Sequence, residues 1–310
     1  KHEKWTALII QDPNTQVHQK LEQFQTGLAS KIVSVLNKSY PTKFICNIVS
    51  SQLDSDRFDY LLRDSFYSGT AYGHFDLNRV IGSIKANLEQ DCLVVGGEKG
   101  MLAVEDYLYA RYSMYMQIYQ HKKCLASDSF FNKLLKRAMI LTKHKRIAYI
   151  EEPLYKWLMS PEQMTVQEFL DIDDTTIIHH IKHWTKEKDI ILKDLSKRFL
   201  ERKLFKSTKV KDQEKMDELT KTKSAELRKL NLDPDYYLDS ITIASNPYSF
   251  YNPNEVNDFS KAIYVEDHNG KLNEISTVSH VVASLVQNSF ANSWVIGLPT
   301  PQSAPAFSLK

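Results

Sequence analysis

The sequence has 310 residues, 42% hydrophobic and 25% charged, with a formal net charge of +2. That length holds two domains or one large one, either with a sizeable core, and the balanced charge gives no argument for nucleic acid or an anionic membrane as a partner. No apolar run approaches the length of a membrane-spanning helix. Three widely spaced cysteines, Cys46, Cys92 and Cys124, form neither a zinc spacing nor a disulfide framework, which suits a reducing, cytoplasmic home.

The chain opens on Lys1 rather than Met. Lys1-His2-Glu3-Lys4-Trp5-Thr6 reads as the interior of a longer protein, or as one piece of a split chain, and no signal peptide is visible. From 17 to 37, Leu21, Phe24, Leu28, Ile32, Val35 and Leu36 fall on one side of a single expected helix. Pro41 can open the next helical stretch, which runs to about Phe66. Gly69 to Gly73 is a turn, and Asp76 can cap a helix through Leu88. Cys92 to Val95 reads as a strand closed by Gly96-Gly97.

A long tyrosine-rich helix is expected from about Gly100 to Lys123, and another from Ser127 to Lys143. Asp173 and Asp174 start a helix through His183, and helical pattern continues from Leu192 to Phe205. Residues 207 to 225, rich in Lys, Asp, Glu and Thr, read as a linker or an exposed helix. Beyond Pro234, Tyr236 to Ala244, Ala262 to Val265 and Ser293 to Ile296 are β-prone, Asn269-Gly270 signals a hairpin, and Thr277 to Val286 reads as one helix. The expected architecture is therefore a mainly α domain over residues 1–206, then a linker and a small α+β domain over 207–310.

Chemistry concentrates in two places. Leu53 to Asp64 packs four carboxylates and two guanidiniums into twelve residues, and on a helix Asp56, Tyr60 and Asp64 share one face at i, i+4 and i+8. Leu53, Phe58, Leu61 and Leu62 lie on other sides and can enter a core. The plain alternative is a solvated face with pairs such as Asp59 with Arg63. The second constellation is Arg111, Tyr115 and Tyr119, again at i, i+4 and i+8, with Gln120 beside them. Arginine offers a planar fork to phosphate oxygens and tyrosine a flat face to a sugar or base, although tyrosines at helical spacing are also ordinary core. Arg79, Lys99, His121, Lys122, Arg202 and Lys206 are scattered cations, each alone readable as surface charge. His179, His180 and His183 have metal-compatible spacings but lack the zincin pattern, so they read as an exposed or partly buried helix face.

Together, Asp54 to Asp64, Arg111 to Lys122 and Arg202 to Lys206 closely resemble HD-domain deoxynucleoside triphosphate triphosphohydrolases. The resemblance implies an incomplete HD-type helical domain, with Asp56 as the last metal ligand and Arg57 near the phosphates. It implies Tyr60 and Asp64 at the deoxyribose, Arg111 at the triphosphate, Tyr119 against the 2′ position and Gln120 beside the sugar and base. Tyr115 stands where a relative has histidine. His2 resembles a catalytic histidine near the phosphates, and Arg79, Lys99, His121, Lys122, Arg202 and Lys206 resemble contacts to regulatory nucleotides.

The implied activity is metal-dependent cleavage of a dNTP to deoxynucleoside and triphosphate by a homotetramer. The partners expected are deoxynucleoside triphosphates, with no membrane and no nucleic acid. The divalent metal site is incomplete, because the upstream His and His-Asp motifs are not in this sequence, so the chain alone is expected to be inactive. Two other readings stand beside this one: an HD-superfamily phosphohydrolase for another nucleotide or phosphoester, and a non-catalytic nucleotide-sensing or assembly module.

Overall fold

The computed structural model describes residues 2–245, 248, 261–287 and 290–299. Lys1, from which the fragment reading starts, lies outside them. The chain is mainly α-helical with a small α+β C-terminal region. It clusters into two compact units, each built from two segments: residues 1–119 with 244–290, and residues 120–243 with 291–310. These limits differ from the expected break at residue 206. The last strand pairs with one at Lys206–Val210, while residues 261–287 add strands and helices to the first unit.

In chain order, the first unit opens with α1 His2–Gln11, α2 Gln16–Phe24, α3 Leu28–Leu36, α4 Lys43–Val49, α5 Ser55–Ser68 and α6 Leu77–Ser83. A hairpin of β1 Ile84–Asn87 and β2 Cys92–Gly96 leads into α7 Gly97–Met114, whose end passes into a π-helical turn, Tyr115–Tyr119. The second unit holds α8 Lys122–Lys143, α9 Leu154–Met159, α10 Val166–Leu170, α11 Asp174–Trp184, α12 Ile190–Leu200, β3 Lys206–Val210, α13 Gln213–Lys229, α14 Pro234–Tyr237 and β4 Leu238–Ser245. The chain returns to the first unit with β5 Tyr264–Glu266, β6 Leu272–Glu274, α15 Ile275–Val278 and α16 His280–Gln287, and ends in the second with β7 Phe290–Gly297.

Several of these boundaries depart from the periodicity, each for a local reason. The helix expected over 17–37 is two helices. Gly27 takes a left-handed φ of 80°, open to glycine at no steric cost, and the Glu22 carboxylate accepts from the Gly27 and Ala29 amides at 2.7 and 3.0 Å. The helix expected through Leu88 stops at Ser83, because Ile84 to Asn87 pair in register with Val95 to Cys92. The helix expected over Gly100–Lys123 starts at Gly97 and breaks after the π turn, and α8 starts afresh with His121 accepting from the Lys123 amide. Of the two readings of 207–225, a linker or an exposed helix, the helix holds: a strand over Lys206–Val210 is followed by a mostly exposed helix capped by Asp212. Ser279 divides the expected helix over 277–286, its hydroxyl accepting from Val282.

Each unit has its own core. In the first, a sheet ordered β1-β2-β5-β6 joins β2 to β5 in parallel across about 170 residues of sequence. Leu61, Val95, Val104, Tyr107, Leu108, Met114, Val265 and Ile275 are buried together there. In the second, the sheet β3-β7-β4 covers a cluster that contains Phe130, Leu134, Leu154, Ile181, Trp184, Leu195 and Val295. Among the described residues no helix is long and apolar enough to cross a membrane.

Candidate anion and hydroxyl site

The site begins at the start of α5. Asp54 caps this helix, accepting from the Arg57 amide at 2.8 Å and the Ser51 amide at 3.1 Å, and satisfying N–H groups that a helix start leaves open. The Arg57 guanidinium turns back onto Asp54 and the Ser51 carbonyl. Asp54 is buried, and that burial raises its carboxyl above the usual range against the opposing pull of these donors. One turn on, Phe58 and Leu61 enter the core, while Tyr60 and Asp64 fall on a half-buried face. The expected Asp59–Arg63 pair is present, on the exposed side.

The second wall is the end of α7 and its π turn. Tyr107 is fully buried and its hydroxyl donates to the Gln52 carbonyl at 2.8 Å. Arg111, one turn later, is 6% exposed, and its Nη1 donates to Gln52 Oε1 at 2.9 Å. The π turn widens the helical register at Tyr115 to Tyr119, a distortion common at functional sites. There the Tyr119 hydroxyl donates to Asp64 Oδ2 at 2.7 Å, a bond between residues 55 apart in sequence. The Tyr119 ring meets Tyr115 and Tyr60 edge to face, with centroids 5.2 and 6.1 Å apart, and the Arg111 guanidinium carbon lies 5.7 Å from the Tyr115 ring centre.

These surroundings keep the phenols protonated. Burial, with the neighbouring Tyr115 phenol adding to it, pushes the Tyr60 hydroxyl up to about 12. Burial and the Asp64 carboxylate push Tyr119 higher still. Arg111 has no such compensation: among the described residues no carboxylate pairs with it, and its Nε has no hydrogen-bond partner. A buried guanidinium beside neutral phenols can hold an anion, and Asp64 with the phenols can orient a hydroxylated group.

The remaining predicted residues are placed differently. Asp56 is exposed in the first turn of α5, and His2 is exposed on α1, which packs on α2 and α3. Gln120 is buried in the second unit, where its side-chain oxygen accepts from Asn292 at 3.0 Å. The six scattered cations are all exposed and divide between the units: Arg79 and Lys99 lie in the first, and His121, Lys122, Arg202 and Lys206 in the second. Lys122, Arg202 and Lys206 line one cavity of about 560 Å³.

The model of the HD-associated region matches residues 75–306. The chain belongs to that family. The HD-associated region takes in Arg111, Tyr115 and Tyr119 but begins after α5, so Tyr60 and Asp64 come from the segment just before it. The uncharacterized protein YwfO of Bacillus subtilis is 33% identical over 284 residues, covering 92% of this chain and 64% of its own length. A Methanocaldococcus jannaschii protein is 31% identical over 175 residues, covering 56% of this chain and 36% of its own. The chain thus spans less than two thirds of the length of both relatives. A crystal structure described as a phosphohydrolase, from Bacteroides thetaiotaomicron, superposes with a TM-score of 0.71 at 24% identity, covering 96% of this chain and 75% of that one. A hypothetical protein from Aquifex aeolicus gives 0.64 at 24% identity, with 92% and 66% covered. At that identity the likeness is one of fold.

An HD-type enzyme would carry a divalent metal. Among the described residues no group of three or more His, Cys, Asp or Glu side chains converges to hold one, and Asp56 alone cannot. The histidine trio on α11 is otherwise engaged. His180 is buried, its Nδ1–H donating to the Thr176 carbonyl at 2.8 Å and its Nε2 accepting from the Glu151 amide at 3.1 Å. His179 and His183 are exposed, packed against Tyr149.

Burial lowers the His180 pKa, so the native state favours the neutral ring that can accept from Glu151. The unfolded chain then binds the proton first as pH falls through about 6.5, and stability is lost in that direction. Urea midpoints between pH 7.5 and 5.5 should fall less steeply in His180→Gln than in the unmodified chain. Equal slopes would remove His180 from the acid response.

Proposed function

We propose that this chain is the nucleotide-binding portion of an HD-type phosphohydrolase that acts on deoxynucleoside triphosphates. The observation that carries the reading is Arg111, a buried guanidinium whose charge no described carboxylate cancels, set against the Tyr119–Asp64 bond. Arg111 would anchor phosphate oxygens, as a planar fork suits them. Asp64 and the protonated Tyr60 would take the sugar hydroxyl. Tyr119, its hydroxyl tied to Asp64, would hold its ring against the 2′ position and disfavour ribonucleotides. Asp56 stands ready as one ligand of a divalent ion, and the other ligands would come from outside the described residues. In the same reading the cavity at Lys122, Arg202 and Lys206 receives a regulatory nucleotide.

Two measurements test this. By calorimetry the isolated chain should bind a dNTP more tightly than the matching ribonucleotide, without turning it over. The complete gene product, given each dNTP and several divalent metals, should release intact triphosphate. Release of pyrophosphate or orthophosphate would move the activity to another phosphoester chemistry, and turnover by the isolated chain would overturn its assignment as a binding portion.

A further inference from the structure

Arg111 is held in place by a neutral group. Gln52 is 5% exposed and lies in the loop before α5; its side-chain oxygen accepts from Arg111 and its backbone carbonyl accepts from Tyr107. Tyr107 and Arg111 are one turn apart on α7, so a single residue grips that helix at two successive points of one face. Asp54, two residues further on, is turned away onto Ser51 and Arg57. A carboxylate is therefore close in sequence, yet the group that reaches Arg111 is a carboxamide.

Burying an unpaired cation is costly, and a carboxylate is the partner that offsets the cost most directly. A carboxamide has the same planar shape and offers one equivalent acceptor, but it carries no charge. It fixes the guanidinium and leaves its charge available to a ligand. We propose that Gln52 is the positioning residue of this site: it aims Arg111 while keeping the charge uncancelled, and so sets the affinity for a polyphosphate. This rests on the reading of Arg111 as the anion anchor.

The test uses the isolated chain with inorganic tripolyphosphate as probe, affinity being read by calorimetry and the melting temperature on the same samples. Gln52→Glu keeps size and acceptor but cancels the charge. It should melt at or above the unmodified chain and bind tripolyphosphate about tenfold or more weakly, because an internal carboxylate competes for the same guanidinium. A purely structural Gln52 would predict unchanged affinity in that variant, which would overturn the proposal. If Gln52→Glu fails to fold, Gln52→Met decides. Keeping the length but losing the acceptor, it should weaken binding several-fold, and unmodified affinity there would equally overturn the proposal. Arg111→Met separates the two readings. If it binds as the unmodified chain does, or if the unmodified chain does not bind, the anion anchor fails; if it abolishes binding while the Gln52 variants bind normally, only the role of Gln52 fails.

Discussion

Arg111→Met should lower the affinity for a dNTP by about a hundredfold or more while leaving the fold nearly as stable as before. The two halves of this result have different causes. Charge-assisted hydrogen bonds contribute about 1.5–3 kcal/mol each, and a guanidinium presents two in parallel to a phosphate. Losing both removes about 3–6 kcal/mol, and about 1.4 kcal/mol is tenfold in affinity. Stability moves much less. Methionine takes away a buried cation that has only a neutral partner, which relieves a desolvation cost. Against this, the bond from Arg111 to Gln52 Oε1 is lost, at about 1.5–3 kcal/mol for a bond from a charged group. These terms oppose one another, so the urea midpoint should stay close to that of the unmodified chain. Calorimetry and urea denaturation on one preparation check both halves. Loss of affinity matched by a comparable loss of stability would mean that Arg111 holds the fold together and does not serve a ligand.

The parts of this site written in local spacing were legible in the sequence. Asp56, Tyr60 and Asp64 do lie along one helix. What spacing could not foretell was which of them meets the second motif. Tyr119 reaches Asp64 because α7 loosens into a π turn, and nothing in a helical period of 3.6 announces that change of register. Gln52 was invisible for a similar reason. A glutamine in a short loop has no pattern, and its importance comes from contacts to residues 55 and 59 positions away.

The same division runs through the fold. Helix starts with Asp caps, at Asp76 and Asp173, were readable because the signal is local. Strand β1 was hidden in what looked like a helix, since only pairing with β2 makes it a strand. Gly27 gives no local sign of a break, because an isolated glycine is tolerated within a helix; its left-handed conformation comes with the bond its amide donates to Glu22, five residues back. Composition likewise could not show that residues 261–287 belong with the first unit, because that follows from β5 pairing with β2.

The largest stability effect should come from Trp184→Ala in the second unit. Trp184 is fully buried in one cluster with Leu134, Leu154, Ile181 and Leu192. Truncating a buried aromatic ring to a methyl group costs about 3–5 kcal/mol, part in lost transfer energy and part in the cavity left behind. There is also a polar term. Trp184 Nε1 donates to the Tyr149 carbonyl at 2.8 Å and ties the loop after α8 to α11. The same loop is held by Glu187, which accepts from the Ala148 and Tyr149 amides at 2.8 and 3.1 Å, and by His180, which accepts from Glu151. Trp184 thus both fills the core and, with Glu187 and His180, fixes the backbone of this loop. Trp184→Phe separates the terms: it keeps most of the volume and loses the N–H, so it should cost about 1–2 kcal/mol, in line with a net hydrogen bond and a small void. Urea unfolding followed by circular dichroism gives both values. A loss below about 1 kcal/mol for the alanine variant would contradict a core that closes around this ring, since substitutions of that size are typical of exposed positions.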